Sequence, residues 1–178
     1  FETPSNPCLE IVDIEAVCKL AKKNNVKVVV DNILVSPVLQ NPSKFGADII
    51  VYSGTKHIDG QGRTMGGAIL SSEKFREEIL KPFLRHTGPC ISPFNAWVLS
   101  KGLETVSLRV IEQSKTAEKV VEFLSKHNKI ELVNYPFKKN HPQYDLAKKQ
   151  QKMGGNVLSF YIKGKKKEAF KFLNNLKM

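Results

Sequence analysis

The chain has 178 residues, 41% of them hydrophobic and 25% charged, with a net charge of +11. This composition excludes a disordered or fibrous protein, and no apolar run reaches the roughly 18 residues of a membrane span. Residues 1–105 carry nine Lys and three Arg against eleven acidic residues, whereas residues 106–178 carry fifteen Lys and one Arg against six. Lys-rich faces without interleaved aromatic residues are usually solvated, so we expect no specific nucleic-acid partner and no membrane partner. A weak polyanion-binding surface stays open as the alternative.

The three cysteines, Cys8, Cys18 and Cys90, are odd in number, widely spaced and without a C-x-x-C pair. This pattern argues against a disulfide framework or a zinc site and is typical of a reducing compartment, so we expect a cytoplasmic protein. The chain begins with Phe1 and shows no signal-peptide pattern. We therefore also expect that N-terminal sequence is missing.

The first half of the chain predicts alternating helices and strands. Two prolines predict a loop over residues 2–7, and Asp13 is placed to cap a helix over residues 14–23. Nearly continuous β-branched residues predict a buried, parallel strand over residues 26–30 that closes on Asp31. Further strands are predicted over residues 49–52, closing on Ser53, and 68–70, before a helix over residues 72–86. This order predicts an α/β fold, in which ligands bind at the carboxyl ends of the strands.

The second half predicts a smaller α/β layer. Its patterns indicate helices over residues 93–103 and 106–126, strands over residues 130–133 and 156–162, and a helix over residues 166–176. We expect Trp97 to lie in the core. We place a domain boundary near residue 107, so that residues 1–107 and 108–178 belong to different domains.

One turn carries most of the chemistry. After the strand ending at Ser53, the residues Gly54, Thr55 and Lys56 follow directly. Two hydroxyls and free backbone N–H groups suit a phosphate, and an amine can form a Schiff base with a carbonyl. A carboxylate at Asp31 suits a protonated ring nitrogen, and pyridoxal phosphate needs all three kinds of group. The spacing leaves other roles open: Asp31 as a helix cap or magnesium ligand, or a structural Asp31–Lys56 ion pair.

Three motifs closely resemble the Cys/Met-metabolism family of pyridoxal-phosphate enzymes: residues 2–7 (ETPSNP), 30–32 (VDN) and 52–56 (YSGTK). The family includes cystathionine γ-synthase, cystathionine lyases, methionine γ-lyase and the homoserine-ester sulfhydrylases. Within it, residues 56–63 and 88–97 are most similar to the O-succinylhomoserine sulfhydrylase branch. The resemblance covers essentially the whole chain and implies an incomplete fold-type I, aspartate-aminotransferase-like structure. Residues 1–107 would form the second half of the large, cofactor-binding parallel-sheet domain, and residues 108–178 the start of the small C-terminal domain.

The resemblance also implies residue roles. Lys56 would hold the cofactor covalently, and its freed amine would move protons at Cα and Cβ of the substrate. Asp31 would keep the pyridine nitrogen protonated, while Ser53 and Thr55 would donate hydrogen bonds to the phosphate. Asn6 would lie near the phenolic oxygen of the cofactor or the substrate carboxylate, or serve only as a turn residue.

The implied reaction is γ-replacement: succinate (or acetate) leaves the γ-carbon of O-succinylhomoserine (or O-acetylhomoserine) and sulfide adds there, giving homocysteine in methionine biosynthesis. Cystathionine γ-synthase and the cystathionine or methionine γ-lyases are the alternatives. We expect Arg63 either to face the succinyl group or to be structural, and His57 to pack rather than act as a base. Family members are much longer homo-oligomers, expected to be tetramers. This chain resembles their middle, so we expect little or no activity from it alone, and exposed apolar faces.

Overall fold

The computed structural model describes residues 1–177 of the chain. It contains five strands: β1 (Val29–Asp31), β2 (Ile49–Ser53), β3 (Gly67–Leu70), β4 (Ile130–Asn134) and β5 (Ser159–Ile162). The helices are α1 (Ile14–Lys23), α2 (Ser36–Leu39), α3 (Glu73–Phe75), α4 (Lys81–Thr87), α5 (Pro93–Leu103), α6 (Val106–Lys126), α7 (Tyr144–Gln150) and α8 (Lys166–Asn174). A short 3₁₀ turn spans Pro42–Phe45, and π turns span Gly54–Ile58 and Arg76–Leu80. The second π turn joins α3 and α4, so the predicted helix over residues 72–86 is confirmed with an irregular centre.

Helix α1 has the predicted bounds because both of its ends are specified locally. The Asp13 carboxylate accepts a hydrogen bond from the Ala16 N–H at 2.9 Å, which satisfies one free amide of the first turn. Ile14 and Cys18 are buried on one stripe, where they pack against Val28 and Val30. Cys18 therefore lies in the core.

The first sheet has the order β1-β2-β3, with β1 parallel to β2 and β3 antiparallel to it. The sheet is therefore mixed, because the chain turns back at the end of β2 instead of crossing over. Strand β1 begins at Val29, three residues later than predicted. The reason is Asp48, whose carboxylate accepts from the Val28 N–H at 2.9 Å and pairs with the Lys27 amine at 2.8 Å.

The two faces of this sheet differ in burial. Val30, Ile50 and Tyr52 point to the covered face, and Val30 is fully buried. On the opposite face Val29 is 42% exposed and Ile69 is 48% exposed. The expectation of exposed apolar sheet surface is thus confirmed. Val29 and Ile69 lie on the face to which Asp31 and Ser53 also point.

The C-terminal part is built on α6. Strands β4 and β5 form an antiparallel pair whose buried residues pack on the second half of this helix. The first half of α6 packs instead on the N-terminal part of the chain, through Val106 and Val110 against Val35 and Leu39. Strand β5 begins later than predicted because Asn156 turns toward α6, where its amide donates to Gln113 at 3.2 Å.

The position of Trp97 differs from the prediction. The prediction that Trp97 lies in the core is wrong: its side chain is 56% exposed and packs on Phe94, with 5.9 Å between ring centroids. Both rings lie on the outer side of α5.

Among residues 1–177, no helix combines the length and apolar character that crossing a membrane requires.

Candidate functional site

The ends of the two parallel strands bring Asp31 and Ser53 to one edge of the sheet. In the parallel register Asp31 lies beside Val51, two residues before Ser53. Because side chains alternate along a strand, all three point to the same face. Ordinary strand spacing and rise place the Cα atoms of Asp31 and Ser53 about 8 Å apart. This is the more exposed face of the sheet, so a ligand can reach both side chains.

The π turn that follows β2 presents Lys56 to solvent. The turn is closed by the Asp59 and Gly60 N–H groups, which donate to the carbonyls of Gly54 and Lys56. The Lys56 side chain is exposed, and its amine joins no ion pair in the described part of the chain. The structural Asp31–Lys56 ion pair that the sequence left open is therefore not formed, and the amine is free to react.

The phosphate-binding groups differ in part from the prediction. The expectation of free backbone N–H groups here is wrong for Gly54 and Thr55, because both donate to the Gly66 carbonyl, at 2.7 and 3.4 Å. The Thr55 hydroxyl oxygen accepts from the Gly66 N–H at 3.2 Å, so its own hydrogen remains free to donate. Ser53 precedes the turn without capping it. The Ser53 and Thr55 hydroxyls thus remain as donors for a phosphate, whereas the Gly54 and Thr55 N–H groups do not.

Asp31 is held by its backbone and keeps one carboxylate oxygen available. Its N–H donates to the Phe1 carbonyl at 2.8 Å, and its Oδ1 accepts from the Ile33 N–H at 3.1 Å. It does not cap the next helix, since the residue preceding α2 is Val35. Among residues 1–177, no three His, Cys, Asp or Glu side chains gather into a metal-binding group.

Asn6 reaches the same edge by way of the N-terminal segment. Glu2 pairs with Asp31 as in a parallel sheet, so the chain runs beside β1 and passes its end. Asn6 lies three residues after Thr3, is exposed, and donates its backbone N–H to the Glu2 carboxylate at 3.0 Å. The structure gives its side chain no contact with Asp31 or Lys56, so its role stays a prediction.

A buried amide network behind Asp31 was not predicted. Asn32 is fully buried, and its side-chain N–H₂ donates to the Tyr52 hydroxyl at 2.9 Å and to the Gln40 carbonyl at 3.0 Å. The Gln40 amide donates back to the Asn32 Oδ1 at 2.8 Å. These bonds fix the end of β1 against β2. Buried polar groups demand partners, so an Asn directly after a buried strand is the signal that could have revealed the network.

The charged neighbours of the turn have structural partners. The Arg63 guanidinium donates to the buried Asp59 carboxylate, with 2.8 Å between Nε and Oδ1. Burial opposes ionisation of Asp59, but the hydrogen bonds and charge of Arg63 outweigh it and lower the pKa of Asp59. This geometry favours the structural role of Arg63. Burial lowers the pKa of His57, so this ring binds a proton less readily than an exposed histidine does. That His57 packs rather than acts as a base stays a prediction.

Sequence reasoning also missed Arg109. Its guanidinium reaches back from α6 to the turn that carries Lys56, where it donates to the carbonyls of His57 and Ile58. It is the one Arg among fifteen Lys in residues 106–178. Arg is preferred over Lys where several fixed acceptors must be met at once, so this isolated Arg was the available signal.

The assembled groups suit pyridoxal phosphate. Asp31, with a free carboxylate oxygen, and the Ser53 hydroxyl share one sheet edge. The Thr55 hydroxyl and the exposed Lys56 amine, which has no ion-pair partner among the described residues, follow directly in the turn after β2. These are the groups that bind the aldehyde, the ring nitrogen and the phosphate of that cofactor.

Comparison with known proteins agrees with this arrangement. A family model described as "Cys/Met metabolism PLP-dependent enzyme" matches residues 1–178. The chain is 47% identical over 182 residues to an O-succinylhomoserine sulfhydrylase of Mycobacterium tuberculosis, covering 100% of this chain and 45% of that protein. It is 44% identical to an L-methionine gamma-lyase of Fusobacterium nucleatum subsp. polymorphum, with 100% and 46% covered.

Solved structures share the fold of this chain. A crystal structure of cystathionine gamma synthase from Xanthomonas oryzae pv. oryzae in complex with cystathionine matches with a TM-score of 0.95 and 36% identity. The match covers 99% of this chain and 46% of that one. The chain thus spans about half the length of the relatives it matches. The chain belongs to the Cys/Met-metabolism family of pyridoxal-phosphate-dependent enzymes.

Proposed function

We propose that this chain supplies the lysine-bearing part of a pyridoxal-phosphate sulfhydrylase. The enzyme would break the Cγ–O bond of O-succinylhomoserine, or of O-acetylhomoserine, so that succinate or acetate leaves and sulfide takes its place, giving homocysteine for methionine biosynthesis. The observation that carries the proposal is the free Lys56 amine at the same sheet edge as Asp31, Ser53 and Thr55. The 47% identity to a sulfhydrylase supports the choice of reaction.

The side chains divide the work by chemistry. When bound, pyridoxal phosphate draws electrons away from the substrate carbon that loses a proton. The Asp31 carboxylate holds a proton on the ring nitrogen, and the Ser53 and Thr55 hydroxyls donate to the phosphate. The Lys56 amine would take the proton from Cα, give it up again, and only then take a proton from Cβ. The Cγ–O bond would then break, with its electron pair leaving on succinate, and hydrogen sulfide would form the new bond at Cγ before protons return to Cβ and Cα. Asn6 orients the phenolic oxygen or the substrate carboxylate.

A second candidate reaction is γ-elimination, as in a methionine or cystathionine γ-lyase. It is favoured by the 44% identity to a methionine gamma-lyase, only slightly below that to the sulfhydrylase. The third candidate reaction is that of cystathionine γ-synthase. Side-by-side assays of the whole enzyme with sulfide, cysteine, methionine and cystathionine would separate the three. We expect sulfide with O-succinylhomoserine to react fastest.

The activity proposed here is that of a whole protein containing this chain, because the relatives are about twice as long. We propose a cytoplasmic homo-oligomer, a tetramer, with small-molecule substrates. For the 178-residue chain alone we predict little or no turnover. The test of the site therefore uses cofactor attachment rather than activity.

Attachment of pyridoxal phosphate tests Lys56 directly. The purified chain is mixed with the cofactor, reduced with borohydride and digested, and the modified lysines are identified by mass spectrometry. We expect modification to concentrate on Lys56, accompanied by visible absorbance that Lys56→Ala removes. Asp31→Asn should weaken binding, because the ring nitrogen loses its negatively charged partner.

The matched control is Lys101→Ala, which removes another exposed lysine that pairs only with Glu104. It should leave the absorbance unchanged. Equal modification of Lys56 and of the exposed lysines 165–167 would contradict the proposal, because it would show that the cofactor reacts with surface amines in general.

A further inference from the structure

The guanidinium of Arg109 joins three segments around the turn of Lys56. Its Nη1 donates to the His57 carbonyl at 2.8 Å. Its Nη2 donates to the Ile58 carbonyl at 3.1 Å and to the Gly102 carbonyl of α5 at 2.9 Å. Its Nε donates to the Thr105 hydroxyl at 3.1 Å, which fixes the orientation of the fork. One side chain of α6 thus ties the turn to the junction of α5 and α6.

These bonds satisfy acceptors that the turn itself leaves open. The carbonyls of Gly54 and Lys56 accept backbone N–H groups, from Asp59 and Gly60. Those of His57 and Ile58, at the end of the turn, accept from Arg109 instead. A positive charge is favourable at the carbonyl end of a helical turn, and hydrogen bonds from a guanidinium are stronger than neutral ones.

Two glycines make room for this contact. Gly60 has φ of +69°, and a Cβ added there would overlap the Arg109 guanidinium. A Cβ at Gly102 would overlap the Ile58 carbonyl. Both the turn and α5 therefore lack a side chain where the guanidinium and the turn meet, which indicates that the close approach is a specific feature of this sequence.

We propose that Arg109 is a positioning residue for Lys56, a role that rests on the proposed function of Lys56. The Lys56 amine has no ion-pair partner of its own among the described residues, so the turn backbone decides where the amine can reach. Arg109 fixes that backbone from the opposite side, through the two carbonyls that follow Lys56. Reacting groups tolerate little displacement, so a loosened turn slows imine formation even though Arg109 touches no reacting atom.

The first test compares Arg109→Met with Lys119→Met, which removes an exposed basic residue of the same helix. Amide hydrogen exchange is measured over residues 54–60 of the cofactor-free chain. We expect exchange there to rise about tenfold or more in Arg109→Met, the size expected from the loss of a charge-assisted hydrogen bond. Lys119→Met should match the unaltered chain, and Arg109→Lys should lie between them because an ammonium cannot span both carbonyls.

The second test compares Gly60→Ala with Gly62→Ala. Both glycines have φ near +70°, at +69° and +68°, but only a Cβ at Gly60 meets Arg109, whereas Gly62 faces open space. The backbone strain is therefore similar and the difference reports on the Arg109 contact. We expect Gly60→Ala to increase exchange over residues 54–60 and to slow cofactor attachment at Lys56, both clearly more than Gly62→Ala does. If Arg109→Met unfolds the chain, this pair of variants still tests the contact.

The outcomes separate this proposal from the one it rests on. If the unaltered chain does not react at Lys56, the proposed function fails, while the exchange measurement still decides whether Arg109 orders the turn. Suppose that the unaltered chain reacts at Lys56. The positioning role is then overturned if Arg109→Met equals Lys119→Met, and Gly60→Ala equals Gly62→Ala, in hydrogen exchange and in the rate of cofactor attachment. Faster exchange without slower attachment overturns it as well, because Arg109 is then only structural.

Discussion

His57 and His141 are packed into the body of the chain and are held neutral there. Burial lowers the pKa of His57; a backbone contact with Leu34 partly offsets this, and the charge of Arg109 adds to it. Burial also lowers the pKa of His141, whose Nδ1 accepts from the Gln143 N–H at 3.1 Å. Proton uptake at either ring therefore favours the unfolded chain.

The stability of the chain should consequently decrease as the pH is lowered. A folded pKa below the unfolded value of about 6.5 gives stability that is complete above pH 6.5 and is lost as the pH falls further. We expect the free energy of unfolding in urea to decrease between pH 7 and 5.5, by at most about 1.4 kcal/mol per pH unit for each ring. His57→Gln and His141→Gln should each flatten this slope. A slope unchanged in both variants would contradict the assignment.

Single residues also show what the sequence alone could predict. Asp31 and Ser53 follow buried apolar strands, and a parallel pair must end at one edge, so their meeting was predictable. Asn32 and Arg109 each stood out in the sequence, Asn32 because it follows a buried strand and Arg109 as an isolated Arg. Their partners could not be predicted, because three-dimensional contacts set them. Arg109 lies more than fifty residues after the turn that it contacts. A periodic pattern within one helix or strand cannot predict a contact over that separation.

At the scale of elements, the turn Gly54–Ile58 lies directly on helix α5. Leu99 of α5 packs against the cluster formed by Ile50, Tyr52 and Ile58. Gly102, one turn further along, lets the Ile58 carbonyl approach the helix backbone. The helical pattern of residues 93–103 predicted the bounds of α5, and the structure adds a Ser92 cap. The contact of α5 with the turn depends instead on this glycine.

The substitution Gly102→Ala should reverse the usual helix preference. Within an unobstructed helix, Ala is more stable than Gly by about 1 kcal/mol. Here the added Cβ overlaps a carbonyl, so we expect a loss of about 1–3 kcal/mol in the free energy of unfolding, measured in urea. Ser100→Ala on the exposed side of α5 should be neutral or slightly stabilising. A more stable Gly102→Ala chain would show that the turn does not press on α5.

At the scale of the whole chain, helix α7 returns to the N-terminal part. The Gln150 amide accepts from the Ile14 N–H at 2.9 Å and donates to the Val12 carbonyl at 3.0 Å. Lys149 pairs with Glu15 at 2.7 Å, and two lysines together lower the pKa of Glu15 to about 2. The division near residue 107 stays a prediction, and these contacts cross it.

Because of these contacts, both parts should unfold together. Gln150→Leu leaves the buried Ile14 N–H without its acceptor, which we expect to cost about 1–3 kcal/mol. Lys152→Gln, an exposed neighbour, should cost almost nothing. The measurement is urea unfolding followed by fluorescence of Trp97 and by circular dichroism. Two separate transitions in the unaltered chain would contradict coupling through α7.

The pairing of Gly54 with Gly66 has an evolutionary consequence. The hydrogen bond between them, together with two bonds between Gly66 and Thr55, closes the base of the loop that leaves β2 and returns as β3. Lys56 lies inside that base, whereas Gly62 stands at the far tip in open space. Insertions or deletions at the tip change the length of the loop without stretching the base, so this segment can diversify among relatives while the reactive lysine keeps its place.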